Sequence, residues 1–140
     1  MTCSDADKEG EIVDGRYPDI EIYMRRIELP VLIEWLQSRL QVTQVEQKGK
    51  STVLTLDEKN IKEPPMICTI VADAVKGQFT SVWITPNKTP WLTDQDFARE
   101  AFKQFQLETR CSTGSWDGND EQGWLRFTPN GESIVNWLAD

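Results

Sequence analysis

The chain has 140 residues, 39% apolar and 27% charged, a balance that suits one globular domain able to bury about two-thirds of its unfolded surface. A net charge of −8 opposes direct contact with phosphate backbones and with anionic membrane surfaces. The absence of histidine removes Ser-His-Asp and Cys-His catalysis and the common zinc and iron sites.

Residues 1–17 hold five acids against two bases and lack periodicity, which predicts a mobile acidic arm ahead of a single α+β domain spanning 18–140. Ile20, Ile22 and Met24 then alternate with Glu21, Tyr23 and Arg25, the period-two pattern of a strand. From Pro30 the spacing changes. Leu32, Trp35, Leu36 and Leu40 fall on one helical face, and proline suits a first turn, so a helix is expected over 30–41. Residues 42–48 and 51–57 flank Gly49-Lys50 and read as a hairpin.

After a charged, proline-bearing connection at 59–65 comes Met66–Val75, apolar at nearly every position. Such a run marks a central strand covered on both faces, or one passing from the core to a subunit contact. Lys76-Gly77-Gln78 turns it into Phe79–Thr85. Residues 86–91 form a loop, and Thr93 with Asp96 resembles a capping box. Phe97, Ala101, Phe102 and Phe105 line a helix running to about Leu107.

Short strands near Thr109–Ser112 and Trp124–Thr128 flank a polar loop at 113–123. Ile134, Val135 and Leu138 favour a terminal helix over 132–138, although Asn130-Gly131 is also a type I′ hairpin signal. Short turns between consecutive strands imply an antiparallel sheet of about five to seven strands, with two or three helices packed against it.

Cys3, Cys68 and Cys111 are odd in number and widely spaced, which predicts reduced thiols. With no leader-like start and no apolar run of about 20 residues, the expected location is the cytoplasm. The eight glycines form neither GxGxxG nor GxxxxGK[ST], so nucleotide chemistry lacks a motif. No cofactor is implied.

Two features carry a functional expectation. Asp117-Gly118-Asn119-Asp120-Glu121 groups carboxylates that could take Ca²⁺ or Mg²⁺, or act with Asp94 or Asp96, but it lacks EF-hand spacing and also reads as a solvated turn. Cys111 follows Arg110, yet a thiolate there would need a base the sequence does not display, and a buried inert cysteine is the simpler expectation. Of six tryptophans, Trp35, Trp83, Trp124 and Trp137 lie on periodic elements and are assigned to packing.

Trp91 and Trp116 lie on loops, where they would either anchor a partner or fold back over the core. The leading reading is a non-enzymatic protein-interaction or accessory domain presenting Trp91, Trp116, Asp117, Asp120 and Glu121 to a protein partner, with a basic one suited by charge. The alternatives are a carboxylate-based enzyme or divalent-cation-binding protein using the same acidic loop, and an acidic mimic of nucleic acid. An uncovered apolar face or edge in the Met66–Val75 hairpin would leave homodimerisation open.

Overall fold

The computed structural model describes residues 15–56, 64–113 and 123–135. These form β1 (Ile20–Arg25), α1 (Leu29–Arg39), β2 (Val42–Lys48), β3 (Ser51–Leu56), β4 (Met66–Val75), β5 (Phe79–Thr85), α2 (Asp94–Phe105), β6 (Thr109–Ser112), β7 (Trp124–Thr128) and β8 (Gly131–Val135). The eight described strands make one sheet in the order β2-β3-β4-β5-β1-β6-β7-β8. All neighbouring pairs are antiparallel.

Because antiparallel neighbours alternate in direction, β1 and β2 run the same way, as do β5 and β6. Each of these pairs needs a crossover, and the helices supply it. α1 carries the chain from the middle of the sheet to its edge, and α2 carries it over β1. Both cover the same face: Leu32, Trp35 and Leu36 of α1 and Phe97, Ala98 and Ala101 of α2 share one buried cluster with Ile20, Ile22, Met24, Leu54, Cys68, Ile70, Val82 and Ile84.

Local chemistry explains the helix limits. Pro30 stands in the first turn of α1, where its missing N–H breaks no bond. The Thr93 hydroxyl accepts the Asp96 N–H at 3.1 Å, and Asp94 and Asp96 place negative charge in the first turn of α2, where the helix dipole favours it. α2 ends where Gln106 turns left-handed and donates its N–H to the Phe102 carbonyl at 2.7 Å.

The eight strands exceed the expected five to seven, and the chain end accounts for part of the excess. Residues 131–135 form β8, paired with β7 from Trp124↔Val135 to Thr128↔Gly131, in place of the start of the expected helix. A two-residue turn at Pro129-Asn130, with Gly131 at φ +124, folds the chain back so that β7 gains a backbone partner on its outer edge. Residues 136–138 of the expected helix lie outside the described residues.

β4 has β3 on one side and β5 on the other, so its edges are closed to any further strand. Of the expected N-terminal arm, residues 1–14 lie outside the described residues, whereas Arg16 and Tyr17 are held. Tyr17 donates its N–H to the Leu92 carbonyl at 2.7 Å, and Arg16 Nη1 reaches the Thr89 carbonyl at 2.8 Å.

Candidate functional site

Trp91 takes the fold-back alternative in the structure, and Trp83 departs from its assignment to packing. Trp91 is 4% exposed, stacked on Phe97 at 4.8 Å and on Trp35 at 5.6 Å, and so is a core residue rather than a loop anchor. Asn87 turns it inward. Its amide donates to the Trp91 carbonyl at 2.9 Å and the Tyr17 carbonyl at 3.2 Å, while its Oδ1 accepts the Thr89 hydroxyl at 2.7 Å.

Trp83, assigned to packing by its strand pattern, is instead 39% exposed. On β5, Thr80, Val82 and Ile84 are buried on the helix side while Trp83 points the other way, opposite Glu21 and Thr69. Trp116, Asp117, Asp120 and Glu121 lie outside the described residues.

The sheet face turned away from the helices is the richest surface described. From β3 and β4 it presents half-buried Val53, Ile67, Thr69 and Val71. At its centre, Glu21, Tyr23 and Arg25 of β1 lie beside Trp83, Ser81 and Phe79 of β5. Asp19 accepts the Trp83 indole N–H at 2.6 Å, and Tyr23 donates its hydroxyl to Glu21 at 3.2 Å. Burial, reinforced by the Asp19 charge, pushes the Glu21 carboxyl above its ordinary value. Burial and the neighbouring Glu21 push the Tyr23 phenol up to about 12.

Two residues along β1 the charge reverses. Glu108 takes Arg25 Nη1 at 3.2 Å, Arg110 Nη2 at 2.7 Å and Arg126 Nε at 2.8 Å. The Arg110 side chain is only 5% exposed and that of Glu108 11%. Phe79 lies beneath both the Arg25 and Arg110 guanidiniums, at 5.8 and 5.0 Å, and the Tyr23 and Trp124 rings meet edge to face at 5.8 Å. Burial alone would raise the Glu108 carboxyl, but the hydrogen bonds and charges of Arg110 and Arg126 outweigh it and hold the group below its ordinary value.

A second polar cluster fills the place where β1 and β6 diverge. Those strands pair only at Tyr23↔Arg110 and Met24↔Thr109, and the N-terminus of α2 plugs the gap. Asp94 Oδ1 accepts the Glu21 N–H at 2.9 Å, and Gln95 Nε2 donates to the Ser112 carbonyl at 2.5 Å. Burial pushes Asp94 up to about 7, with Asp19 and Glu21 adding to it and the Glu21 amide opposing.

Cys111 feels the Asp94 charge, so the sequence candidates Asp94 and Cys111 do come together. Burial and that charge drive the Cys111 thiol far above its ordinary value, and burial pushes Cys68 up to about 12. Both thiols are therefore protonated and poor nucleophiles at neutral pH. Among the described residues, no three acidic or thiol side chains are grouped to hold a metal ion.

Among the described residues, the helix side includes open grooves of about 520 and 540 Å³. The first runs between α2 and the β7–β8 hairpin and is bridged by Arg99 and Glu132 at 3.1 Å. The second, between α1 and α2, is lined by Val31, Trp35, Arg39 and Phe105. The Trp35 indole N–H is buried without a hydrogen-bond partner.

In the second groove the Ser38 hydroxyl donates to the Trp35 carbonyl at 2.6 Å. No helix among the described residues is long and apolar enough to cross a membrane. Comparison with protein-family models, curated proteins and solved structures finds no match.

Sequence reading left open an uncovered face on the Met66–Val75 hairpin but missed the charged groups beside it, because those residues come from distant strands and only register brings them side by side. One signal was present. Glu108 and Arg110 stand two apart, as do Glu21, Tyr23 and Arg25, and in a strand such residues share a face.

Proposed function

We propose that this chain is a non-enzymatic protein-interaction domain whose docking surface is the uncovered face of its sheet. The observation carrying the reading is Trp83, a large aromatic 39% exposed in the middle of that face. Half-buried Val53, Ile67 and Val71 lie beside it. An apolar patch around a tryptophan and rimmed by charge has the make-up of a contact surface, with an aromatic anchor ringed by polar groups. A cytoplasmic setting suits the reading, since Cys68 and Cys111 are both free thiols of the kind a reducing compartment preserves.

The test compares complexes formed by the wild-type chain, by Trp83→Lys on the uncovered face, and by Gln104→Lys on the helix side, with folding checked by circular dichroism. Loss of the complex with Trp83→Lys alone is the expected result. A complex indifferent to Trp83→Lys and lost with Gln104→Lys would move the docking surface to the helices and sink the reading.

A further inference from the structure

We propose that the occupant of this face is a basic segment of a protein partner, which seats an arginine side chain against Trp83, Asp19 and Glu21. The inference rests on the docking reading above and goes further by giving the partner its chemistry. Its basis is the negative charge left uncompensated at one corner of the face. Asp19 and Glu21 make no ion pair among the described residues. Asp94, which accepts the Glu21 N–H from the first turn of α2, makes none either.

Register brings these groups to the exposed tryptophan. Glu21 stands directly opposite Trp83, and Thr69 of β4 and Val53 of β3 continue the same row. Asp19 Oδ2 accepts the Trp83 indole N–H at 2.6 Å, and Glu21 Oε2 accepts the Tyr23 hydroxyl at 3.2 Å. Each carboxylate therefore keeps one side-chain oxygen that no described group bonds. A cation is drawn to the face of an indole, and here the indole edge is tied to a carboxylate, so a cation reaching the ring arrives beside negative charge. Arginine suits both attractions, because a guanidinium stacks on aromatic rings and presents several N–H groups to carboxylate oxygens.

The positive groups of the face stand away from this corner. Arg25 lies four residues beyond Glu21 on β1, about 13 Å at ~3.3 Å per residue, farther than the screening length of about 8 Å at physiological salt, and it is paired with Glu108. Arg110 and Arg126 lie level with Tyr23 on β6 and β7, on the side of β1 away from Trp83, and share Glu108. Burial and Asp19 raise the Glu21 carboxyl, and a cation docked beside the two would relieve that repulsion.

The surroundings fit a protein segment rather than a lone cation. Thr69 and Val53 carry the row two strands past Trp83, about 10 Å at about 4.8 Å per strand, and Ile67 and Val71 flank Thr69 along β4. All four are half-buried, so apolar side chains next to the basic one have a surface to pack on. The net charge of −8 favours the approach of a basic partner.

The experiment follows the Trp83 indole N–H of the full chain by proton–nitrogen NMR during titration with two synthetic peptides, Val-Thr-X-Thr-Val capped at both ends, in which X is arginine or its neutral isostere citrulline. The arginine peptide should shift this signal and bind at least about fivefold more tightly at low salt. Asp19→Asn/Glu21→Gln keeps an oxygen acceptor for the Trp83 indole and the Tyr23 hydroxyl and removes only charge, so it should erase the preference. Gln104→Lys, on the helix side, should leave it unchanged.

Equal binding of the two peptides, a preference that survives Asp19→Asn/Glu21→Gln, or no shift at Trp83 with either peptide overturns the inference. The wider reading is judged separately. If the inference fails but Trp83→Lys still abolishes the complexes compared above, the face docks a partner that is not basic at this corner. If Trp83→Lys abolishes nothing, both readings fall.

Discussion

Asp94→Asn isolates one charge at the divergence of β1 and β6 and should change the pH dependence of stability in a fixed direction. In the folded chain, burial pushes the Asp94 carboxyl up to about 7 from an ordinary 3.8, so the native state keeps a proton that the unfolded chain releases. The stability this group contributes is complete below about pH 4 and is lost as pH rises through about 7. A rise of about three units, at about 1.4 kcal/mol per unit, sets a ceiling of about 4 kcal/mol. The favourable field at the N-terminus of α2 works the other way by up to about 1 kcal/mol.

Asparagine keeps the Oδ1 acceptor for the Glu21 N–H and removes the charge. The variant should therefore gain on the wild type as pH rises, by about 1–3 kcal/mol at pH 8 and by little near pH 4. Urea unfolding followed by tryptophan emission, with Trp35 and Trp91 as buried reporters, gives the difference at each pH from the midpoint shift at constant slope. Tyr17 and Cys111 face Asp94, and both are raised, so they stay protonated through the measured range. A variant that loses stability relative to wild type with rising pH would refute the reasoning, because the Asp94 charge would then be a net support of the helix terminus.

Glu108→Gln removes the carboxylate shared by Arg25, Arg110 and Arg126, and should cost about 2–4 kcal/mol, less than a fully buried pair because Arg25 and Arg126 are partly solvated. Its pH signature is opposite to that of Asp94. A carboxyl held below its ordinary value adds stability above 4.5 that is lost as pH falls through the folded value, so acid unfolding of the variant should be flatter than that of the wild type. An unchanged acid limb would remove Glu108 from the account.

Trp91→Ala opens a cavity against Phe97 and Trp35 and should cost about 3–5 kcal/mol. Trp83→Ala should shift stability by about 1 kcal/mol or less. Equal losses from the two in chemical denaturation would contradict their assignment to core and surface.

Much of this protein is determined locally and was legible in the sequence. The change from period two to period 3.6 after Pro30, the Thr93 cap with Asp96, and the turns at Gly49-Lys50 and Lys76-Gly77-Gln78 are written into adjacent residues, since each depends on a φ angle, a missing N–H or an alternation that a few neighbours decide. The class, an antiparallel sheet with helices against it, follows from them.

What only the tertiary structure decided is long-range. β1 lies between β5 and β6 because both helices act as crossovers, and no local pattern encodes which strands a crossover will span. Ile134 and Val135 are as compatible with a helical stripe as with a strand, and the free edge of β7 settled the matter by offering backbone partners.

Trp83 departed from its expected role, and the choice left open for Trp91 was settled toward the core, for related reasons. Alternation along β5 shows that Trp83 differs in facing from Val82 and Ile84, but not which face the helices will cover. Trp91 lies in a loop whose direction is set by Asn87 reaching across to the Tyr17 carbonyl. The arginine group around Glu108 and the acidic pair Asp19 and Glu21 exist as sites only in register, because charges up to about 100 residues apart in the chain become neighbours only when strands about 4.8 Å apart are aligned.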